Sequence, residues 1–141
     1  MRLVLGEDAR VASWAFETWG CRPFHIDAAV GLSDESGSLV GAFAFSNYNG
    51  SDAEVHYYGP KNLTRRVVRS IFMIALHHFN LNRLTVRTRK ESMARGVQKL
   101  GAVYEGTVRR LYGPSDDNHH AGLQFAFFRE DIERLAGFKG K

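Results

Sequence analysis

Apolar residues recur along the chain at two spacings, and the switches between them mark out the elements. Residues 2–5 form a short apolar run that reads as a strand. From Glu7 to Trp19 the spacing turns helical: Val11, Ala15 and Thr18, with Ala12, Phe16 and Trp19, recur three or four residues apart. Gly20 stops this helix, because a left-handed residue closes a helix end most easily as glycine, and Pro23 blocks its continuation. Residues 28–32 read as a strand, and Asp34-Glu35-Ser36-Gly37 has the residue types of a turn. The run 39–45 is apolar on both faces, which predicts a central strand covered on both sides. Asn49-Gly50-Ser51-Asp52 is a second turn, and a strand follows over 53–58. These pieces predict an antiparallel meander.

The second half has a different rhythm. After the loop Gly59-Pro60-Lys61-Asn62, Thr64 is placed to cap a long helix running to about Phe79. Its apolar face is Val67, Val68, Ile71, Phe72, Ala75 and Phe79, and its wet face carries Arg65, Arg66, Arg69 and His77. In the strand 84–89, Leu84, Val86 and Thr88 alternate with Thr85, Arg87 and Arg89. Strand, long helix and strand make a crossover unit with its two strands parallel. A short helix over 92–100 turns Met93, Val97 and Leu100 inward and closes at Gly101. Strands follow over 104–112 and 123–128, separated by a polar loop from Gly113 to His120, and a last helix begins near Glu130. The order of elements is that of an α+β (mixed α/β) domain.

Composition narrows the setting. The 141 residues, 44% hydrophobic and 24% charged, suit one domain over 1–141 with one core. No apolar run reaches the ~18 residues of a membrane span, and Glu7 and Asp8 bring charge too early for a signal peptide, so a cytoplasmic location is expected. The single cysteine, Cys21, can form no internal disulfide and reads as a packed small side chain. The formal charge of +4 is modest and fits a phosphate-bearing small ligand as readily as nucleic acid. The pairs His77-His78 and His119-His120 lack metal-ligand spacing and read as surface residues, so no metal is expected.

The stretch from Arg89 to Arg109, above all Lys99-Leu100-Gly101-Ala102-Val103-Tyr104-Glu105-Gly106, resembles the second conserved segment of the GNAT N-acyltransferases. Residues 124–132 look like that family's closing strand and its ending. The nearest flavour is the branch acting on ribosomal-protein amino termini and its small phage-type relatives. The resemblance implies a mixed central sheet of about six or seven strands with a splayed parallel pair, flanked by about four helices. It implies acetyl transfer from acetyl-CoA, as co-substrate, to a primary amine of a small molecule or protein. There are departures. The stretch Asn62-Leu63-Thr64-Arg65-Arg66-Val67-Val68 has none of the glycines of the family's pyrophosphate loop, Ser92 stands where the family has Asn, and the tyrosine that often follows is missing.

The resemblance places the coenzyme at the start of the 64–79 helix, where unpaired N–H groups and the helix dipole favour phosphate. Arg65 and Arg66 in the first turn would supply charge in place of glycine, with Lys61 and Arg95 as a basic rim and Asn62 and Thr64 in the same stretch. Tyr57, Tyr58 and Gly59 occupy the positions whose backbone would pair with the pantetheine arm. Ser92 would bond the same arm, or serve as a helix cap. Glu54 is the candidate general base, His56 shares its strand face, and Tyr112 is the candidate acid. Two other readings stay open. One is a GNAT-shaped acyl-CoA or protein-binding module without catalysis. The other is a nucleic-acid binder using Arg65, Arg66, Arg69, Arg83, Arg87, Arg89, Lys90 and Arg95, disfavoured because no stacking motif accompanies them. A homodimer also stays open.

Overall fold

A computed structural model describes residues 1–20, 22–117 and 120–137. The strands are β1 (Arg2–Val4), β2 (Ala28–Ser33), β3 (Leu39–Ser46), β4 (Asp52–Tyr58), β5 (Arg83–Thr88), β6 (Val103–Val108) and β7 (Gly122–Phe128). The helices are α1 (Asp8–Trp19), α2 (Arg65–Met73), α3 (Glu91–Lys99) and α4 (Arg129–Ala136). The seven strands form one sheet in the order β1-β2-β3-β4-β5-β7-β6. Every neighbouring pair is antiparallel except β4 and β5, which α2 joins as a parallel crossover. The expected α+β architecture, mixed sheet and four helices are all present.

The turns form as their chemistry dictates. Asp34 Oδ1 accepts from the Ser36 and Ser38 amides at 2.9 and 3.0 Å, and Asn49 Oδ1 accepts from those of Ser51 and Asp52 at 3.0 and 2.8 Å. Gly20 takes the left-handed conformation that ends α1.

Each strand sends alternate residues to opposite faces, and the two faces are covered unequally. On one face, Val11 and Ala15 of α1 pack against Ala29 and Ala42 of β2 and β3. Gly31 lets α1 come close, because a Cβ there would lie 3.0 Å from Val11 and 2.8 Å from Leu39. The opposite face carries the main core: Val30, Phe43, Phe45, Leu84, Phe125 and Phe127 meet Val67, Ile71 and Phe72 of α2, Val97 of α3 and Ile132 and Leu135 of α4. Phe72 meets Phe127 edge-on at 4.8 Å. The α1-side face of β4, β5 and β7 instead bears polar side chains, and the candidate site lies there.

Several boundaries differ from expectation. The long helix is α-helical only to Met73 and passes through a π-helical turn, Ile74–His78, before Phe79, whose amide reaches back to Ile74 O at 3.2 Å. Val68 is only half-buried. Strand β6 ends at Val108 and does not reach Tyr112: Arg110 takes a positive φ of 55°, and Arg109 and Arg110 both grip Asp116, which turns the chain. Helix α3 starts at Glu91 with Lys90 in the capping position, so Ser92 lies inside its first turn and is not the cap; Thr88 Oγ1 accepts from the Lys90 amide at 3.0 Å. His77 and His78 are exposed, whereas His120 is half-buried and its Nδ1 accepts from the Ser115 amide at 3.0 Å. Cys21, His119 and residues 138–141 lie outside the described residues. Among the described residues, no helix is long and apolar enough to cross a membrane.

Candidate active site

The parallel pair is short. Strands β4 and β5 are in register at Asp52↔Arg83, Ala53↔Leu84 and Glu54↔Thr85, and there the pairing stops. Strand β4 continues to Tyr58 held by β3 alone, and β5 continues to Thr88 held by β7 alone. The facing edges beyond Glu54 and Thr85 therefore form a slot whose backbone N–H and C=O groups have no ladder partner across it. The slot opens at the carboxyl ends of two parallel strands, where the helices that follow each of them begin, a common place for a ligand in α/β sheets.

Around that end lie the residues expected to meet a coenzyme. Thr64 caps α2, its Oγ1 accepting from the Val67 amide at 3.3 Å. Lys61, Asn62, Arg65 and Arg66 are exposed on the preceding loop and first turn. Ser92 and Arg95 are exposed on α3, the second helix start. Gly59 has φ of 154°, and a Cβ there would lie 2.8 Å from Tyr57 Oη and 2.9 Å from Gly41 Cα, so only glycine fits. Tyr57 turns into the core, stacked on Phe43 at 4.6 Å with its hydroxyl donating to Pro60 O; burial pushes its pKa up to about 12. Its side chain is thus structural, and only its backbone faces the slot. Tyr58 points the other way, 6.2 Å from Trp19, over whose ring the Lys90 ammonium sits at 5.7 Å.

The polar face of the sheet carries the second group. Glu54 is 8% exposed, and its carboxylate lies 3.5 Å from both His56 Nε2 and Arg87 Nη1. His56 Nε2 is 2.8 Å from Ser46 Oγ, and its ring lies 4.8 Å from that of Phe24. Burial lowers the His56 pKa below its ordinary value; Glu54 pulls it upward and Arg87 adds to the lowering. Tyr112 comes over the cleft from the loop after β6, beneath the Arg89 guanidinium at 5.3 Å. Burial raises its phenol pKa and the Glu54 charge adds to the rise, against Arg89 and Arg87. Glu54, His56, Arg87, Leu111 and Tyr112 enclose a cleft of about 160 Å³. A second hollow of about 130 Å³ adjoins it, lined by Asn47, Asp52, Arg83, Thr85 and Gln124 and sharing Glu54 and Arg87.

This topology, with a parallel pair that opens at one end, has counterparts among solved structures. The ribosomal-protein-S5-alanine acetyltransferase of Vibrio fischeri superposes with a TM-score of 0.67 at 18% identity, covering 93% of each chain. The fold is that of the GNAT acetyltransferases. The spermidine N-acetyltransferase of Vibrio cholerae, solved with CoA and spermine, aligns with a TM-score of 0.64 at 12% identity over 75% of this chain and 68% of its own. A probable acetyltransferase gives 0.59 at 21% identity, over 74% and 62%. No protein-family model and no curated protein matches the sequence.

Within this GNAT fold, Glu54, His56 and Tyr112 gather around one cleft, while the coenzyme-side candidates divide between the starts of α2 and α3. Arg87 and Leu111 line the cleft without having been expected there. Arg87 shares a β5 face with Thr85, and the pairing of Thr85 with Glu54, which only the folded sheet reveals, sets it beside that carboxylate. Leu111 enters from a loop, which carries no period.

Proposed function

We propose that this protein is an N-acyltransferase, acting as one domain, that moves an acetyl group from acetyl-CoA to a primary amine. The observation that carries the reading is the opening of the β4–β5 pair beyond Glu54 and Thr85, beside a cleft that holds Glu54, His56 and Tyr112. The slot suits the extended arm of a coenzyme, whose amides would pair with the free strand edges. The start of α2, with Arg65 and Arg66, suits its phosphates. A solved relative of the same fold holds CoA together with an amine, spermine. In the reaction the amine nitrogen bonds to the thioester carbonyl carbon and the carbon–sulfur bond breaks. Glu54 takes the ammonium proton, directly or through one water, with neutral His56 beside it, and Tyr112 returns a proton to the sulfur.

A binding module of the same shape is the second reading, and the glycine-free stretch from Asn62 to Val68 favours it, since glycine is what lets a backbone approach a pyrophosphate closely. Acetyl transfer to a panel of primary amines separates the two. Glu54→Gln is expected to leave the acetyl-CoA dissociation constant unchanged in calorimetry and to lower the rate by ~10²-fold or more. A variant that keeps the full rate makes Glu54 structural, and a chain with no affinity for acetyl-CoA sinks the transferase reading.

A further inference from the structure

The wall shared by the two hollows is an ion pair, and its two halves are held differently. Arg83, in the outer hollow, is engaged at all three nitrogens: Nη1 and Nη2 both bond the Glu105 carboxylate, and Nε lies 3.3 Å from Asp52. Arg87 is not. Its Nε donates to Gln124 Oε1 at 2.9 Å, which fixes the plane of the guanidinium, while Nη1 stands 3.5 Å from Glu54, beyond good hydrogen-bond length. Its side chain is 38% exposed and lines both hollows. The forked end of an arginine matches an oxyanion with two parallel bonds, and this one is oriented and underused. A buried carboxylate and an accessible guanidinium, side by side, suit a ligand with an ammonium and an anion close together. A polycation suits them poorly, since each ammonium brought to Glu54 meets the Arg87 charge as well. Nor does the rest of the cleft add carboxylates: burial favours the neutral form of His56, and Leu111 and Tyr112 complete the lining.

We propose that the acceptor amine carries a carboxylate or similar oxyanion close to its nitrogen, and that Arg87 receives it while Glu54 faces the amine. This rests on the acetyl-transfer reading above. The shared chemistry occurs in a free amino acid and in a protein amino terminus followed by an acidic residue, so two matched pairs distinguish the sources. L-alanine is compared with L-alaninamide, and the dipeptide amide Ala-Asp with Ala-Asn, by calorimetry on the full chain, with spermidine as the cationic control.

The acid of at least one pair is expected to bind tenfold or more tighter than its neutral twin and than spermidine. Arg87→Ala should shrink that ratio to below threefold. Arg87→Lys, which keeps a charge beside Glu54 and loses the fork, should give an intermediate ratio and serves if the alanine variant does not fold. Equal binding within both pairs, tighter binding of spermidine, no binding of either acid, or a ratio unmoved in a folded Arg87 variant each overturns the inference. Acetyl-CoA is titrated separately. A chain that binds it and prefers spermidine loses this inference alone, and a chain that shows the acid preference without affinity for acetyl-CoA loses the transferase reading alone.

Discussion

His56 sits between a hydroxyl and a carboxylate, yet its charge is decided by burial. Glu54, 3.5 Å away, favours the imidazolium, but desolvation outweighs it and Arg87 reinforces the desolvation, so the folded pKa lies below the ordinary value near 6.5. The sign of the stability effect follows. Between the lowered folded pKa and about 6.5 the unfolded chain binds the proton and the folded chain does not, so stability rises with pH through that window. The contribution is fully present above about 6.5 and is lost as pH falls toward the folded pKa. Urea unfolding followed from pH 8 to pH 5 is expected to show a midpoint that drops below pH 6.5, and His56→Gln should flatten that drop. The same slope in both proteins would mean that His56 is solvated. That Glu54 and His56 share a face was legible, because residues two apart on a strand always do. That Arg87 joins them was not, since the relative register of two strands separated by a helix is set by long-range packing.

Among the elements, helix starts show how far local chemistry reaches. Thr64 caps α2 as its residue type predicts, with its hydroxyl on the Val67 amide. Ser92 has the same talent and does not use it: Thr88 takes the Lys90 amide, and the helix begins one residue early. A good capping residue type is thus no guarantee of a cap, since α3 starts at Glu91 with no side-chain cap at all. Strand β6 is shorter than its sequence suggests. The strand was expected to reach Tyr112, but the pull of Arg109 and Arg110 on Asp116 bends the chain after Val108. At the start of α2, the exposed Arg65 and Arg66 stand beside backbone N–H groups already suited to phosphate. Replacing both by alanine is expected to weaken acetyl-CoA binding in calorimetry by about 1.5–3 kcal/mol for each charged hydrogen bond lost. The melting temperature of the free protein should barely move, because neither side chain is buried. Unchanged affinity would place the phosphates elsewhere, α3 being the other helix that starts at this end of the sheet.

For the whole molecule, the order of elements could be read from periodicity, and the parallel crossover was expected from the long helix between two strands, although β1, α1 and β2 show that such a run can also pair antiparallel. The spatial order beyond β5 could not be read, because β7 inserts between β5 and β6 and nothing local announces it. The splay of β4 from β5 was expected only from the family resemblance, since no local pattern says where their pairing ends. Pairing stops after Glu54 and Thr85 while each strand stays bound to its outer neighbour, so the gap has a paired strand on either side. Backbone groups along that gap must be satisfied by water or by a ligand with amides of its own. Binding of acetyl-CoA should then slow hydrogen exchange at the Tyr57 and Gly59 amides, while Tyr58, paired with Ala42 of β3, should change little. Strand β3 should change little, since its residues from Ala42 to Ser46 are paired with both β2 and β4 through most of their length. The comparison between the two strands is the control, because a general tightening on binding would protect both. Strong protection of Tyr57 and Gly59 in the free protein would show the slot closed, and protection confined to α2 on adding ligand would show that the coenzyme reaches the helix start without entering the sheet.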